Sequence, residues 1–284
     1  MEKQSIILSD GRKMAFTVSG NPSKPAVLFI HGTPLSSLMW HNMNGFNNDA
    51  FYRICIDRPG YGDSDYNING AVDQIHYDIK SLLAHLEVKQ VSLIGVSGAG
   101  PYMVKCALEI PHLLKSVHLV SCVGPYVKEA IGHMNSNRYL YRMAKIFPGI
   151  IRLQNHLITK LILKDPVKFI NLGKKKLKGT DYDMLDQNEF AQSLAEVYPD
   201  GLKSVTRSDQ NPMSDDVIFT ANWNIPLESI EKEVHIYWGH EDHSIGDQSA
   251  YMCDHIPNAV KHYYKNQGHF LIYKILPDIL KKLS

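Results

Sequence analysis

Three residue types, far apart in the chain, can together turn a hydroxyl into a nucleophile. Ser97 stands in Gly95-Val96-Ser97-Gly98-Ala99, directly after an apolar run and before a helix-forming stretch. An aliphatic hydroxyl attacks poorly until a neighbouring base removes its proton, so this short pattern gains weight only from partners. His269, between Gly268 and Phe270, follows the last apolar strand. Imidazole can take and return a proton near neutrality, its unperturbed pKa being about 6.5. Glu241, Asp242 and His243 lie in the exit of the strand before it. A carboxylate there can hydrogen-bond the imidazole and stabilise its cation. The chemistry such a set performs is acyl transfer.

Acyl transfer also needs donors for the negative charge that develops on the carbonyl oxygen. The N–H of Gly98, at the start of the helix after Ser97, is one candidate. The loop His31-Gly32-Thr33-Pro34 leaves another apolar strand and offers the second. Pro34 has no N–H, so Thr33 is the expected donor. His31 is expected to fix this loop through side-chain hydrogen bonds rather than to act as a base.

Holding these groups together requires strands that end side by side. Runs rich in β-branched and aromatic residues, bounded by Gly, Pro, Asn or Asp, predict strands at Ser5–Leu8, Lys13–Ser19, Ala26–His31, Tyr52–Asp57, Val91–Val96, Ser116–Ser121, Val234–Gly239 and Val260–Lys265. "SDGR" joins the first two as a hairpin. Helix-length segments separate later strands, and in Val72–Glu87 the residues Val72, Ile75, Ile79, Leu82, Leu83 and Leu86 share one helical face. The expectation is an α/β fold: an eight-stranded, mostly parallel sheet with helices on both faces. All four candidate loops then lie at the carboxyl ends of strands, where open α/β sheets place their sites. "VSLIGVSGAGPYMVKCALEI" reads as strand, sharp turn and helix, and the close passage of helix over strand explains why Gly95 and Ala99 must be small.

Between Gly124 and about Ile225 the pattern changes to amphipathic helices, "YLYRMAKIF", "IIRLQNHLITKLIL" and "NEFAQSLAEVY", with breaks expected at Pro148, Pro166 and Pro199. Composition narrows the function classes. Thirty Lys and Arg nearly cancel 29 Asp and Glu, leaving no global field for nucleic acid or anionic lipid. The basic run at Lys174–Lys178 reads as a solvated helix face. Cys55, Cys106, Cys122 and Cys253 have no C-x-x-C spacing and are expected as reduced thiols. The N-terminus has no secretory h-region, and no run of about 18 apolar residues occurs. A cytoplasmic protein with neither a membrane nor a nucleic-acid partner is expected; oligomeric state has no sequence signal.

"HGTP", "DRPGYGDSD", "GVSGAGPY", "WGHED" and "GHF", in this order and approximate spacing, resemble the motifs of the α/β-hydrolase fold enzymes over essentially the whole chain. The resemblance implies a catalytic triad of Ser97, Asp242 and His269, in the family's chain order. The acid normally ends G-x-x-D, here Gly239-His240-Glu241-Asp242, which selects Asp242 over Glu241; the site after strand six used by some relatives reads "LVSCVGP" and offers no acid. It implies a core of residues 1–124 and 226–284 and a helical cap of residues 125–225 over the pocket. Met134, Tyr139, Tyr141, Met143 and Trp223 could line that pocket, packing being the better reading. Asp57 and Arg58 are expected to tie loops together, Arg58 as a clamp on a substrate carboxylate being the lesser alternative. Ser97 excludes the Asp-nucleophile relatives, and "HGTP" departs from the "HGGG" and "HGGPG" of the lipase-like and proline-iminopeptidase-like branches. The leading expectation is a carboxylesterase acting on a small-molecule ester without metal or cofactor. Haloperoxidase or perhydrolase chemistry, carbon–carbon bond hydrolysis and small-molecule reception are the alternatives this fold supports.

Overall fold

The computed structural model describes residues 2–135, 137–207 and 210–283. Its frame is one sheet of eight strands: β1 (Gln4–Ile7), β2 (Lys13–Ser19), β3 (Ala26–Ile30), β4 (Tyr52–Ile56), β5 (Val91–Val96), β6 (Leu114–Val120), β7 (Val234–Gly239) and β8 (Ala259–Tyr264). The order across the sheet is β1-β2-β4-β3-β5-β6-β7-β8. β2 runs antiparallel to β1 and β4, and every other pair is parallel. All eight strands expected from sequence are present, with ends shifted by at most two residues. Every residue of β3, β4 and β5 is buried, the pattern a parallel sheet needs when both faces are covered.

Alternate side chains of the central strands feed two separate cores. Leu28, Ile30 and Leu93 point into one, and Val27, Phe29 and Ile94 into the other. The first core is covered by α1 (Ala71–His85) and α2 (Gly100–Glu109). Val72, Ile75, Ile79, Leu82 and Leu83 of α1 are buried there, each such apolar side chain contributing about 1.5–3 kcal/mol by leaving water.

Among the described residues between β6 and β7 run six α-helices: α3 (Asn137–Ile146), α4 (Pro148–Lys164), α5 (Pro166–Lys174), α6 (Gly179–Asp186), α7 (Asn188–Leu202) and α8 (Pro212–Ala221). No strand occurs among the described residues of this stretch. Pro148, Pro166 and Pro212 each open a helix, where a missing N–H costs nothing. Pro199 departs from expectation, lying inside α7 without ending it. Tertiary contacts hold the last turn: Leu202 is fully buried, and the Gly62 N–H donates to the Gly201 carbonyl at 2.9 Å. α9 (Gln248–His255) returns to the first core and α10 (Ile272–Leu283) closes the second, beside Trp40 and Phe46. All four cysteines are free thiols.

Candidate active site

Ser97 sits where β5 gives way to α2, with a left-handed φ of +54°. A non-glycine residue held there stores about 1–3 kcal/mol of backbone strain. The turn is tight because small residues let the chains close. A Cβ at Gly95 would stand 2.8 Å from the Met103 sulfur and 3.0 Å from the Ala99 Cβ. The Val123 N–H donates to the Ser97 carbonyl at 2.8 Å, pinning the turn from β6's exit.

The exits of β7 and β8 bring the two partners in. A Cβ at Gly239 would fall 1.9 Å from the Gln267 carbonyl oxygen, and the Glu241 N–H donates to that oxygen at 3.0 Å. The two loops are thereby locked together. His269 Nδ1 lies 2.8 Å from Asp242 Oδ2, and its Nε2 lies 2.9 Å from Ser97 Oγ. Since a carboxylate only accepts, the ring proton sits on Nδ1 and Nε2 is left to accept from the serine hydroxyl. Asp242 is 1% exposed, and its Oδ1 accepts the Ser244 and Ile245 N–H groups at 3.0 and 3.4 Å. Glu241 points elsewhere, accepting from the Thr180 N–H at 3.3 Å. Burial alone would lower the His269 pKa. The charge of Asp242, their hydrogen bond and the nearby Asp181 override it and push the value up to about 9.

The loop after β3 lies against this turn. A Cβ on Gly32 would be 3.0 Å from the Ser97 Cβ, and one on Gly98 would be 3.0 Å from the Thr33 nitrogen. Among the described residues, neither the Thr33 nor the Gly98 N–H donates a turn or loop hydrogen bond. His31 is buried; it donates from Nδ1 to the Gly32 carbonyl at 2.8 Å and accepts the Arg58 N–H on Nε2 at 3.0 Å. Burial and the neighbouring Arg58 charge hold its pKa well below the usual value, so this imidazole is neutral and structural. Asp57 accepts the Ser37 and Asp63 N–H groups and the Lys3 ammonium, tying three segments.

Arg58 is fully buried and does not line the cavity beside Ser97. Its guanidinium donates to the Gly98 carbonyl at 3.0 Å, to Thr33 Oγ1 at 2.7 Å and to Asp216 Oδ2 at 3.1 Å. Asp216, on α8, also accepts from Tyr61 (2.6 Å), Tyr102 (2.8 Å) and Thr33 Oγ1 (2.5 Å). Burial opposes the charge on Arg58, but Asp216 outweighs it and the guanidinium pKa is raised. The pair fixes both Thr33 and Gly98. Sequence reasoning missed Asp216, and it missed Asp181 on α6, whose carboxylate accepts the His269 and Phe270 N–H groups. Both are acids in helical stretches with no motif around them, and no local signal marks them.

A cavity of about 310 Å³ opens over Ser97. Ser97, Gly98, Thr33 and His269 form its polar end; Leu140 and Tyr141 of α3, Ile158 of α4, and Met213 and Val217 of α8 supply apolar walls. Of the five aromatic and Met candidates only Tyr141 reaches it. Met134 and Met143 pack with α8 residues in a local cluster, Tyr139 is 57% exposed, and the Trp223 ring packs against Phe219 at 5.9 Å. Among the described residues no group of three His, Cys, Asp or Glu is arranged to hold a metal ion.

Residues 25–274 match the family model described as alpha/beta hydrolase fold. The chain belongs to the α/β hydrolase fold family. It is 26% identical over 247 residues to 3-oxoadipate enol-lactonase 2 of Acinetobacter baylyi, covering 86% of this chain and 82% of that protein. It is 30% identical over 119 residues to monoacylglycerol lipase abhd6-B of Xenopus laevis; that match spans 39% of this chain and only 35% of the lipase. Among solved structures, esterase RhEst1 from Rhodococcus sp. ECU1013 superposes with a TM-score of 0.69 at 17% identity, over 100% of this chain and 97% of that one. At that identity the likeness is one of fold.

Proposed function

We propose that the protein is a serine hydrolase, a carboxylesterase acting on a small-molecule ester through an acyl-enzyme. The observation that carries this reading is the unbroken hydrogen-bond chain Ser97–His269–Asp242, ending at the floor of an apolar cavity. His269 Nε2 takes the Ser97 proton as Oγ bonds to the ester carbonyl carbon. The resulting oxyanion is held by the N–H groups of Thr33 and Gly98, and Asp242 stabilises the imidazolium. The tetrahedral intermediate collapses, the imidazolium proton goes to the departing alkoxide, and the alcohol leaves. Water then attacks the acyl-enzyme with His269 again as base, releasing the carboxylic acid and restoring Ser97. The helices α3 to α8 act as the cap, their apolar walls selecting the acyl or alcohol portion.

A fluorophosphonate probe tests this directly. Wild-type protein should be labelled at Ser97 and should hydrolyse p-nitrophenyl acetate or butyrate, and Ser97→Ala should lose both with its thermal unfolding unchanged. Labelling that persists in Ser97→Ala, or equal turnover by the two proteins, would refute the assignment.

A further inference from the structure

The chain-wide charge balance conceals a strong local asymmetry. Residues 137–178 hold eleven of the 30 Lys and Arg but a single acid, Asp165. The same region exposes many of the chain's large apolar side chains. Of the thirteen large apolar or aromatic side chains most exposed among the described residues, eight lie in it, from Tyr139 to Leu172.

On α4 the two properties share one stripe. Ile150, Leu153, Leu157, Lys160 and Lys164 recur at spacings of three and four, all exposed, while Ile151, Asn155, Thr159 and Ile162 are buried on the opposite side. Leu153 is 63% exposed. The end of α3 and the residue after it add Ile146 and Phe147, both more than half exposed. Lys160 and Lys164 form no ion pair among the described residues. A monomer in water has no use for such a stripe, and contiguous exposed apolar surface of this kind marks an interaction site.

We propose that the outer face of α3 and α4 docks on the surface of an anionic lipid bilayer. A helix whose apolar side chains enter the boundary between headgroups and acyl chains, with lysines reaching anionic headgroups, is the form such binding takes. The cationic excess selects negative lipid over a neutral surface, and over a second copy of this equally cationic face. The inner sides of the same helices line the cavity through Leu140, Tyr141 and Ile158, so docking sets the cover of the pocket against lipid. The proposal rests on the surface alone and does not depend on acyl transfer at Ser97.

Vesicle flotation tests it, using phosphatidylcholine vesicles with and without phosphatidylglycerol, at low and high ionic strength. Wild-type protein should float with the anionic vesicles at low salt, and be released by salt. The double variant Ile150→Ser/Leu153→Ser should bind at least about tenfold more weakly, and Lys160→Glu/Lys164→Glu likewise. Each should keep the wild-type unfolding temperature, which shows the fold intact. Failure of wild type to float with anionic vesicles, or variants that float as well as wild type, would overturn the proposal. So would a dimer in size-exclusion light scattering that the Ile150→Ser/Leu153→Ser change dissolves, since a second copy would then be the occupant.

Discussion

The Asp181 carboxylate accepts the backbone N–H groups of His269 and Phe270, at 2.8 and 3.0 Å, so a helix between β6 and β7 holds the loop that carries the imidazole. Asp181 is 5% exposed, and burial raises its own pKa despite those bonds. Asp181→Ala leaves two N–H groups without their acceptor, each costing about 1–3 kcal/mol when buried. The expected outcome is a lower urea midpoint together with a fall in kcat. Asp181→Asn, which keeps one acceptor oxygen, should recover part of both. An Asp181→Ala protein that unfolds at the wild-type urea concentration and keeps the wild-type kcat would show that the carboxylate does not hold the loop.

The pH dependence follows from the raised pKa of His269. Its sequence alone placed the limb near the ordinary imidazole value, but the facing Asp242 charge moves it to about 9. The base must be neutral to act, so kcat/KM should fall as pH drops through about 9, not through about 6.5. Because Asp181 adds to the upward shift, Asp181→Asn should move this limb to lower pH. Stability runs the other way: a folded pKa above the unfolded one contributes stability that is complete below about 6.5 and lost as pH rises through about 9. A limb that stays near 6.5 in the pH profile of the wild-type enzyme would show that Asp242 does not hold the imidazolium.

What was legible in the sequence was whatever a local pattern carries. All eight strands could be read because each is a short, bounded run of branched and aromatic residues. Ser97, Asp242 and His269 could be singled out because each lies within five residues of the end of such a strand. Asp216 could not: it meets Thr33, Arg58, Tyr61 and Tyr102 across 183, 158, 155 and 114 residues of chain, and in its own helix it is one of two adjacent acids. Pro199 failed as a helix stop because the burial of Leu202, a long-range contact, outweighs the local cost. Spacing could place aromatic side chains on cap helices, yet only packing decides that Tyr141 faces the cavity while Tyr139 faces water.

Breaking the Arg58–Asp216 pair should be severe. Asp216→Ala strands a fully buried guanidinium, and removing one partner of a buried ion pair costs about 3–5 kcal/mol. Chemical denaturation should show that loss, and kcat/KM should fall as well, because Arg58 also holds Thr33 Oγ1 and the Gly98 carbonyl. Replacing both partners, as Arg58→Met with Asp216→Leu, removes the stranded charge but leaves the Tyr61 and Tyr102 hydroxyls without their acceptor, so it should restore only part of the stability and none of the activity. A single variant that unfolds at the wild-type denaturant concentration would mean that water reaches Arg58 and that the network does not carry the loop.

The Ala99 position offers the finest test of the turn. The pattern expects a small residue there rather than glycine itself, and the structure supplies the reason: the Ala99 Cβ already stands 3.0 Å from where a Cβ on Gly95 would be. Ala99→Gly opens space that nothing needs and frees the unfolded chain, so it should cost about 0.5–1 kcal/mol and leave turnover intact. Ala99→Val adds two methyl groups against a strand with no room, costing about 1–3 kcal/mol. The displaced turn would carry Ser97 Oγ away from His269 Nε2, from which it is now 2.9 Å. Turnover should therefore fall far more in the Val variant than its unfolding temperature suggests. If the two variants turn over ester equally, the close passage of α2 over β5 does not aim the hydroxyl.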